Sequence, residues 1–83
     1  MNKLNRLAIS DEGFIFDPER GDSFTTNGTG LCILEHLKQD HSEEEIIQAI
    51  SDRYGISKHE AEQDLSEFLR QLKSHNLWDQ QDV

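Results

Sequence analysis

The chain reads as a single α+β domain: a small antiparallel meander followed by three helices. Three observations lead there. Short β-prone runs separated by turn residues fill the first 26 positions. From Asn27 onward, apolar residues recur at helical spacing. Two serines, Ser42 and Ser57, each stand three residues ahead of a glutamate, as in helix-opening capping boxes. Strands first and helices afterwards is the element order of a segregated α+β architecture.

Residues 4–9 alternate, with Leu7 and Ile9 on one face and Leu4, Arg6 and Ala8 on the other, which predicts a first strand. Asp11-Glu12-Gly13 predicts a turn, with Gly13 at positive φ. Phe14-Ile15-Phe16 is strongly β-prone and predicts a second strand. Pro18 and Gly21 mark the next connection, and Ser23, Phe24, Thr25 and Thr26 form a third strand.

Asn27 suits a helix N-cap, and Leu31, Ile33, Leu34 and Leu37 line the helix that follows, to about Lys38. Gly28 and Gly30 weaken its first turn. Ser42 with Glu45 opens a second helix carrying Ile46, Ile47, Ile50 and Tyr54, and Gly55 ends it. Ser57 with Glu60 opens the longest helix, whose stripe is Ala61, Leu65, Phe68, Leu69 and Leu72. It should end near Asn76, with Leu77 and Trp78 packing back. A core over residues 4–78 and a frayed tail over 79–83 are expected.

Eighty-three residues suffice for one domain and leave little room for a deep catalytic cleft. Cys32 has no second cysteine to pair with, which points to a reducing compartment. No apolar run reaches the roughly 18 residues of a membrane span, and no signal-type apolar segment opens the chain. A cytoplasmic location without membrane attachment is expected. The net charge is −9, and residues 40–83 carry eleven acids against four bases. Nucleic acid asks for a basic face, so none is expected as a partner. An acidic face suits a basic or neutral partner, or serves solubility alone.

No constellation for catalysis emerges. Glu43-Glu44-Glu45 sits where a helix N-terminus welcomes negative charge. Cys32, His36 and Asp40 share i, i+4, i+8 spacing, yet a structural zinc site wants four ligands and Asp40 falls in a helix break. Cys32 then belongs to a polar helix face opposite Leu31, Leu34 and Leu37, with an accessible thiol. Gly28 and Gly30 match neither a dinucleotide fingerprint nor a P-loop. The chain is expected to use no metal and no cofactor, and to be no enzyme.

What stands out is an edge. An open meander leaves unpaired N–H and C=O groups along its outer strands, and natural proteins blunt such edges with lysine or proline. The run Ser23 to Thr26 has neither, so it is open to strand addition by an extended peptide unless another element covers it.

The run Asp17-Pro18-Glu19-Arg20-Gly21-Asp22-Ser23-Phe24-Thr25-Thr26-Asn27, followed by Gly30-Leu31-Cys32-Ile33-Leu34-Glu35-His36-Leu37, resembles the strand–turn–strand–helix core of PqqD-like proteins. Ser42 to Ile47, then Tyr54, then Asp64 to Leu72 resemble their remaining helices. Thr26, where many relatives carry an aliphatic residue, departs from the pattern, as does Asp40-His41 in place of a glycine-bearing break.

The resemblance implies a winged-helix-like RiPP recognition element, a peptide chaperone that binds the leader segment of a precursor peptide. The leader adds as a strand beside the third strand, in a groove with the third helix. It is then presented to a modifying enzyme, often of the radical SAM type. Carried over, the strand positions are Ser23, Phe24, Thr25 and Thr26. On the third helix, Asp64, Phe68, Gln71 and His75 form one flank and Glu62, Leu69 and Lys73 the other. The first is chosen because Phe68 offers an aromatic anchor. Some relatives accompany an HPr-kinase-like protein, so an adaptor binding a folded kinase-like partner is the alternative reading. A DNA-binding winged helix is a third, opposed by the acidity.

Overall fold

A computed structural model of the chain describes residues 3–78; the tail expected over 79–83 lies outside them. The elements run in the expected order. A single-turn 3-10 helix (Lys3–Arg6) leads into β1 (Ala8–Ile9), β2 (Phe14–Asp17) and β3 (Asp22–Thr25). The helices α1 (Gly28–Lys38), α2 (Glu43–Tyr54) and α3 (Lys58–Ser74) follow.

The sheet is an antiparallel meander in the order β1-β2-β3. Ile15 pairs with Phe24, and Phe14 and Phe16 lie opposite Thr25 and Ser23. Gly13 turns at φ +96°, and its carbonyl accepts from the N–H of Thr26 just beyond β3, at 2.9 Å. A Cβ at Gly13 would overlap the carbonyl oxygen of Thr26, so glycine sets how closely the two strands approach.

The first strand is shorter than the alternation suggests. Leu4 and Leu7 are both buried, and a 3-10 turn brings residues three apart onto one face. The turn also aims Arg6 at Asp17: Nε donates to Oδ1 at 3.0 Å and Nη2 to Oδ2 at 2.9 Å. Asp17 is only 2% exposed, and it also accepts from the Glu19 N–H at 3.1 Å. This bidentate pair ties the N-terminal turn to the β2–β3 connection.

Each helix start is capped. The Asn27 side chain accepts from the Gly30 N–H at 2.8 Å, which offsets the weak first turn. Ser42 and Glu45 form the full reciprocal box, whereas for Ser57 only the bond from the Glu60 N–H to the serine hydroxyl is made. Gly55 closes α2 in the left-handed conformation.

The core gathers Ile15 from the sheet, Ile33 and Leu34 from α1, Ile46 and Ile50 from α2, and Leu65 and Leu72 from α3. Burying each such side chain contributes about 1.5–3 kcal/mol. Leu77 is buried and Trp78 packs against the cluster, so the chain does fold back after α3. Tyr54, expected on the apolar stripe of α2, is exposed; its hydroxyl donates to the Gly28 carbonyl at 3.2 Å. Cys32 also departs from expectation. It is 9% exposed and buried, because α1 packs against α2, α3 and the N-terminal turn together and hides more than one stripe. Among the described residues, no helix is long and apolar enough to cross a membrane.

Candidate functional site

The pairing of Thr26 with Gly13 fixes the hydrogen-bonding phase of β3. In an antiparallel ladder, residues alternate between facing their partner and facing away. Thr26 and Phe24 turn their backbone groups to β2, so Ser23 and Thr25 turn N–H and C=O outward, to the free side of β3. Both residues are exposed.

α3 lies along that side. Gln71 Nε2 donates to the Thr25 carbonyl oxygen at 3.3 Å. The imidazole of His75 stacks on Phe24, with ring centroids 4.2 Å apart and planes inclined by 16°. Further up the helix, Asp64, Phe68 and Gln71 line a cavity of about 190 Å³ with Thr26, Asn27 and Gly30. Gln71 and His75 therefore border β3, while Asp64 and Phe68 border the Thr26-Asn27 connection from β3 to α1. Of the opposite flank, Glu62 and Leu69 line a separate cleft with Glu43 and Ile47 of α2.

The predicted residues play different parts in this geometry. Ser23 offers both backbone groups and Thr25 its N–H, the Thr25 carbonyl already accepting from Gln71, while Phe24 points inward and is half-buried. Thr26 lies past the end of β3 with its N–H already engaged. Phe68 is only 4% exposed: it forms the floor of the cavity, close under Gly30, and is no projecting anchor. Asp64 and Gln71 are half-buried along the wall. A Cβ at Gly30 would overlap Thr26 Oγ1 and stand 3.2 Å from the Phe68 ring, so this glycine lets α1 close against both other walls.

Sequence reasoning missed the stack of His75 on Phe24 and the outward placement of Phe14 and Phe16. Those two phenylalanines are 56% and 43% exposed on the outer sheet face. The alternation of Phe14-Ile15-Phe16 carried that signal, since one of its two faces had to point out.

The triad considered for metal is not assembled. Cys32 is turned inside, and His36 Nδ1 lies 2.7 Å from His41 Nδ1. Among the described residues, no group of three or more His, Cys, Asp or Glu side chains is placed to hold a metal ion.

A free strand edge with a helix laid beside it is the class of site that receives an extended segment by β-augmentation. The comparisons agree on the lineage. The family described as Coenzyme PQQ synthesis protein D (PqqD) matches residues 12–77, and the chain belongs to that family. Two solved structures are similar to it. One is lasso peptide synthetase B1 complexed with the leader peptide: 26% identity, TM-score 0.72, covering 83% of this chain and 82% of that one. The other is TbiB1 in complex with the TbiA(beta) leader peptide: 27% identity, TM-score 0.78, covering 93% and 91%. No curated protein matches the chain. The expected fold, three antiparallel strands followed by three helices, is the observed one.

Proposed function

We propose that the chain is a non-catalytic peptide chaperone that captures the leader segment of a precursor peptide by strand addition at β3 and presents it to a modifying enzyme. The observation that carries this reading is the outward-facing Ser23 and Thr25 beside α3, in a chain similar to two proteins solved with leader peptides. Ladder hydrogen bonds to Ser23 and to the Thr25 N–H, with the Thr25 carbonyl shared with or released by Gln71, supply attraction that tolerates sequence, and side-chain sites along α3 supply selection. Phe24, Thr26, Asp64, Phe68, Gln71 and His75 wall the groove that selects. Asp64 favours a basic ligand residue, although an exposed pair adds only about 0–1 kcal/mol. The enzyme served is of the radical SAM type, as the family resemblance implies. Neither the kinase-like adaptor nor the DNA-binding reading gains a supporting observation.

The test is affinity capture from native cell extract with the wild-type chain and a Thr25→Pro variant, identifying retained peptides and proteins by mass spectrometry. Proline removes an outward N–H that no ladder bond uses, so the fold is spared and the edge is lost. A precursor peptide retained by the wild type and lost by the variant is expected. Equal retention by both would exclude strand addition at this edge.

A further inference from the structure

The outer face of the sheet carries Phe14 and Phe16 in the middle strand, 56% and 43% exposed. Strand propensity alone would be served there by threonine or valine, without leaving apolar rings in water. Tyr54, the other large exposed apolar residue among the described residues, is accounted for by its bond to Gly28. The two phenylalanines border a shallow cavity of about 410 Å³ with Ala8, Ile9 and Ser23.

Their position relative to the free edge is fixed by the register. Phe16 lies opposite Ser23 and Phe14 opposite Thr25. These are the two residues of β3 whose backbone groups face outward to the edge. A strand added there places one residue opposite Ser23 and another opposite Thr25, two positions apart, and the pleat points both onto the outer face. Each then stands two strand spacings, about 10 Å, from a phenylalanine, with only a small side chain between. A long apolar side chain on the peptide reaches over Ser23 or Thr25 and covers the ring beyond. A short polar one leaves the ring in water.

The geometry points to a second specificity surface: the outer face, through Phe14 and Phe16, selects peptides with aromatic or long aliphatic residues at two alternate positions. The groove beside α3 reads the residues between them. This inference rests on strand addition at β3. The occupant it commits to is the same peptide that pairs with the edge, because the backbone register delivers those side chains to this face.

The experiment uses a phage-displayed library of random 12-residue peptides selected on the whole chain, followed by fluorescence polarisation with the selected peptides. Variants are Phe14→Thr with Phe16→Thr, which keeps strand propensity, and Thr25→Pro. Circular dichroism confirms that each variant is folded. Selected peptides are expected to carry large apolar residues at i and i+2. Replacing both by threonine should weaken wild-type binding about tenfold, and the double variant should show less than twofold difference between the two peptides. Loss of all binding in Thr25→Pro should accompany this. If that loss is seen but the double variant still prefers the apolar peptide tenfold, the outer-face inference is wrong and strand addition stands. A library that yields no binder, or binders indifferent to Thr25→Pro, overturns both. Self-association by analytical ultracentrifugation that the double threonine variant abolishes would assign the face to a second copy and also overturn the inference.

Discussion

Gln71 reaches from α3 to the carbonyl oxygen of Thr25 across 3.3 Å, so the helix grips β3 on the side turned away from the rest of the sheet. The bond joins residues 46 positions apart. Gln71→Ala removes the donor. An exposed hydrogen bond of this kind contributes about 0.5–1.5 kcal/mol at most, so the fold should survive with a slightly lower urea midpoint. The carbonyl carbon resonance of Thr25 and the amide of Thr26 should move, and those of α2 should not. An unmoved Thr25 carbonyl would show that the contact is not made in solution.

At the C-cap of α3, four residues past Gln71, His75 lies flat on Phe24 at 4.2 Å. His75→Ala should cost about 0.5–1.5 kcal/mol, and His75→Phe should recover most of it. Denaturation curves of the three proteins decide the matter. A phenylalanine variant no better than alanine would count against stacking as the source of the attraction.

Stability should fall in acid through Asp17. The hydrogen bonds from Arg6 hold its carboxyl below the usual carboxylate range; burial opposes this, and the Glu19 N–H assists the lowering. The Ser42 N–H does the same for Glu45. A carboxyl whose folded pKa is lower than its unfolded one contributes in full above the unfolded value, about pH 4, and loses that contribution as pH falls through the folded value. The urea midpoint should therefore be level from about pH 5 upward, so far as these two groups decide it, and decline below about pH 4. Asp17→Asn should lower the plateau and make the acid decline shallower. The same slope in both proteins would remove Asp17 from the account. Arg6→Lys should not substitute, because an ammonium cannot make the bidentate contact.

The helices were legible because their signals are local. Asn27, Ser42, Ser57 and Gly55 act within four residues of themselves, and all four sit where the spacing places them. At the N-terminus, alternation at Leu7 and Ile9 is compatible with a strand over all of 4–9, and only Ala8–Ile9 forms one. The burial of Leu4 and the pairing of Arg6 with Asp17, eleven residues away, are decided by tertiary contact. Cys32 differs from its expected exposure for a similar reason: a stripe predicts one buried face, and α1 has several neighbours. At the site, the third strand and both helix flanks were visible as candidates. Which flank borders β3 depends on how α3 crosses the sheet, which no periodicity reports.

Gly13 and Gly21 both turn at positive φ, at +96° and +75°, but their surroundings differ. A Cβ at Gly21 meets nothing within 4 Å, whereas one at Gly13 runs into the Thr26 carbonyl. Gly21→Ala should cost only the strain of the left-handed conformation, about 1–2 kcal/mol. Gly13→Ala should cost more, because the end of β3 must also retreat and the bond from the Thr26 N–H must lengthen. Urea unfolding ranks the two. Equal losses would mean that the close approach of Gly13 to Thr26 is relieved at no cost.

Cys32 provides a direct probe of how tightly α1 is held. Its side chain is buried on a helix that packs against α2, α3 and the N-terminal turn. The thiol is mostly covered, at 9% exposed, on the wall of an open cleft with Leu31 and Tyr54, so labelling in the native state should be slower than in the unfolded chain and should accelerate as urea is added. The rate in the folded protein should lie about tenfold or more below that of the unfolded chain. Cys32→Ala removes the thiol and leaves a small cavity. Cys32→Ser keeps the volume but buries a hydroxyl, which costs about 1–3 kcal/mol if it finds no acceptor. Serine should therefore be the more destabilising of the two if packing around the thiol is apolar. Labelling of the native chain as fast as in urea would place Cys32 on an open face of α1, contrary to the structure.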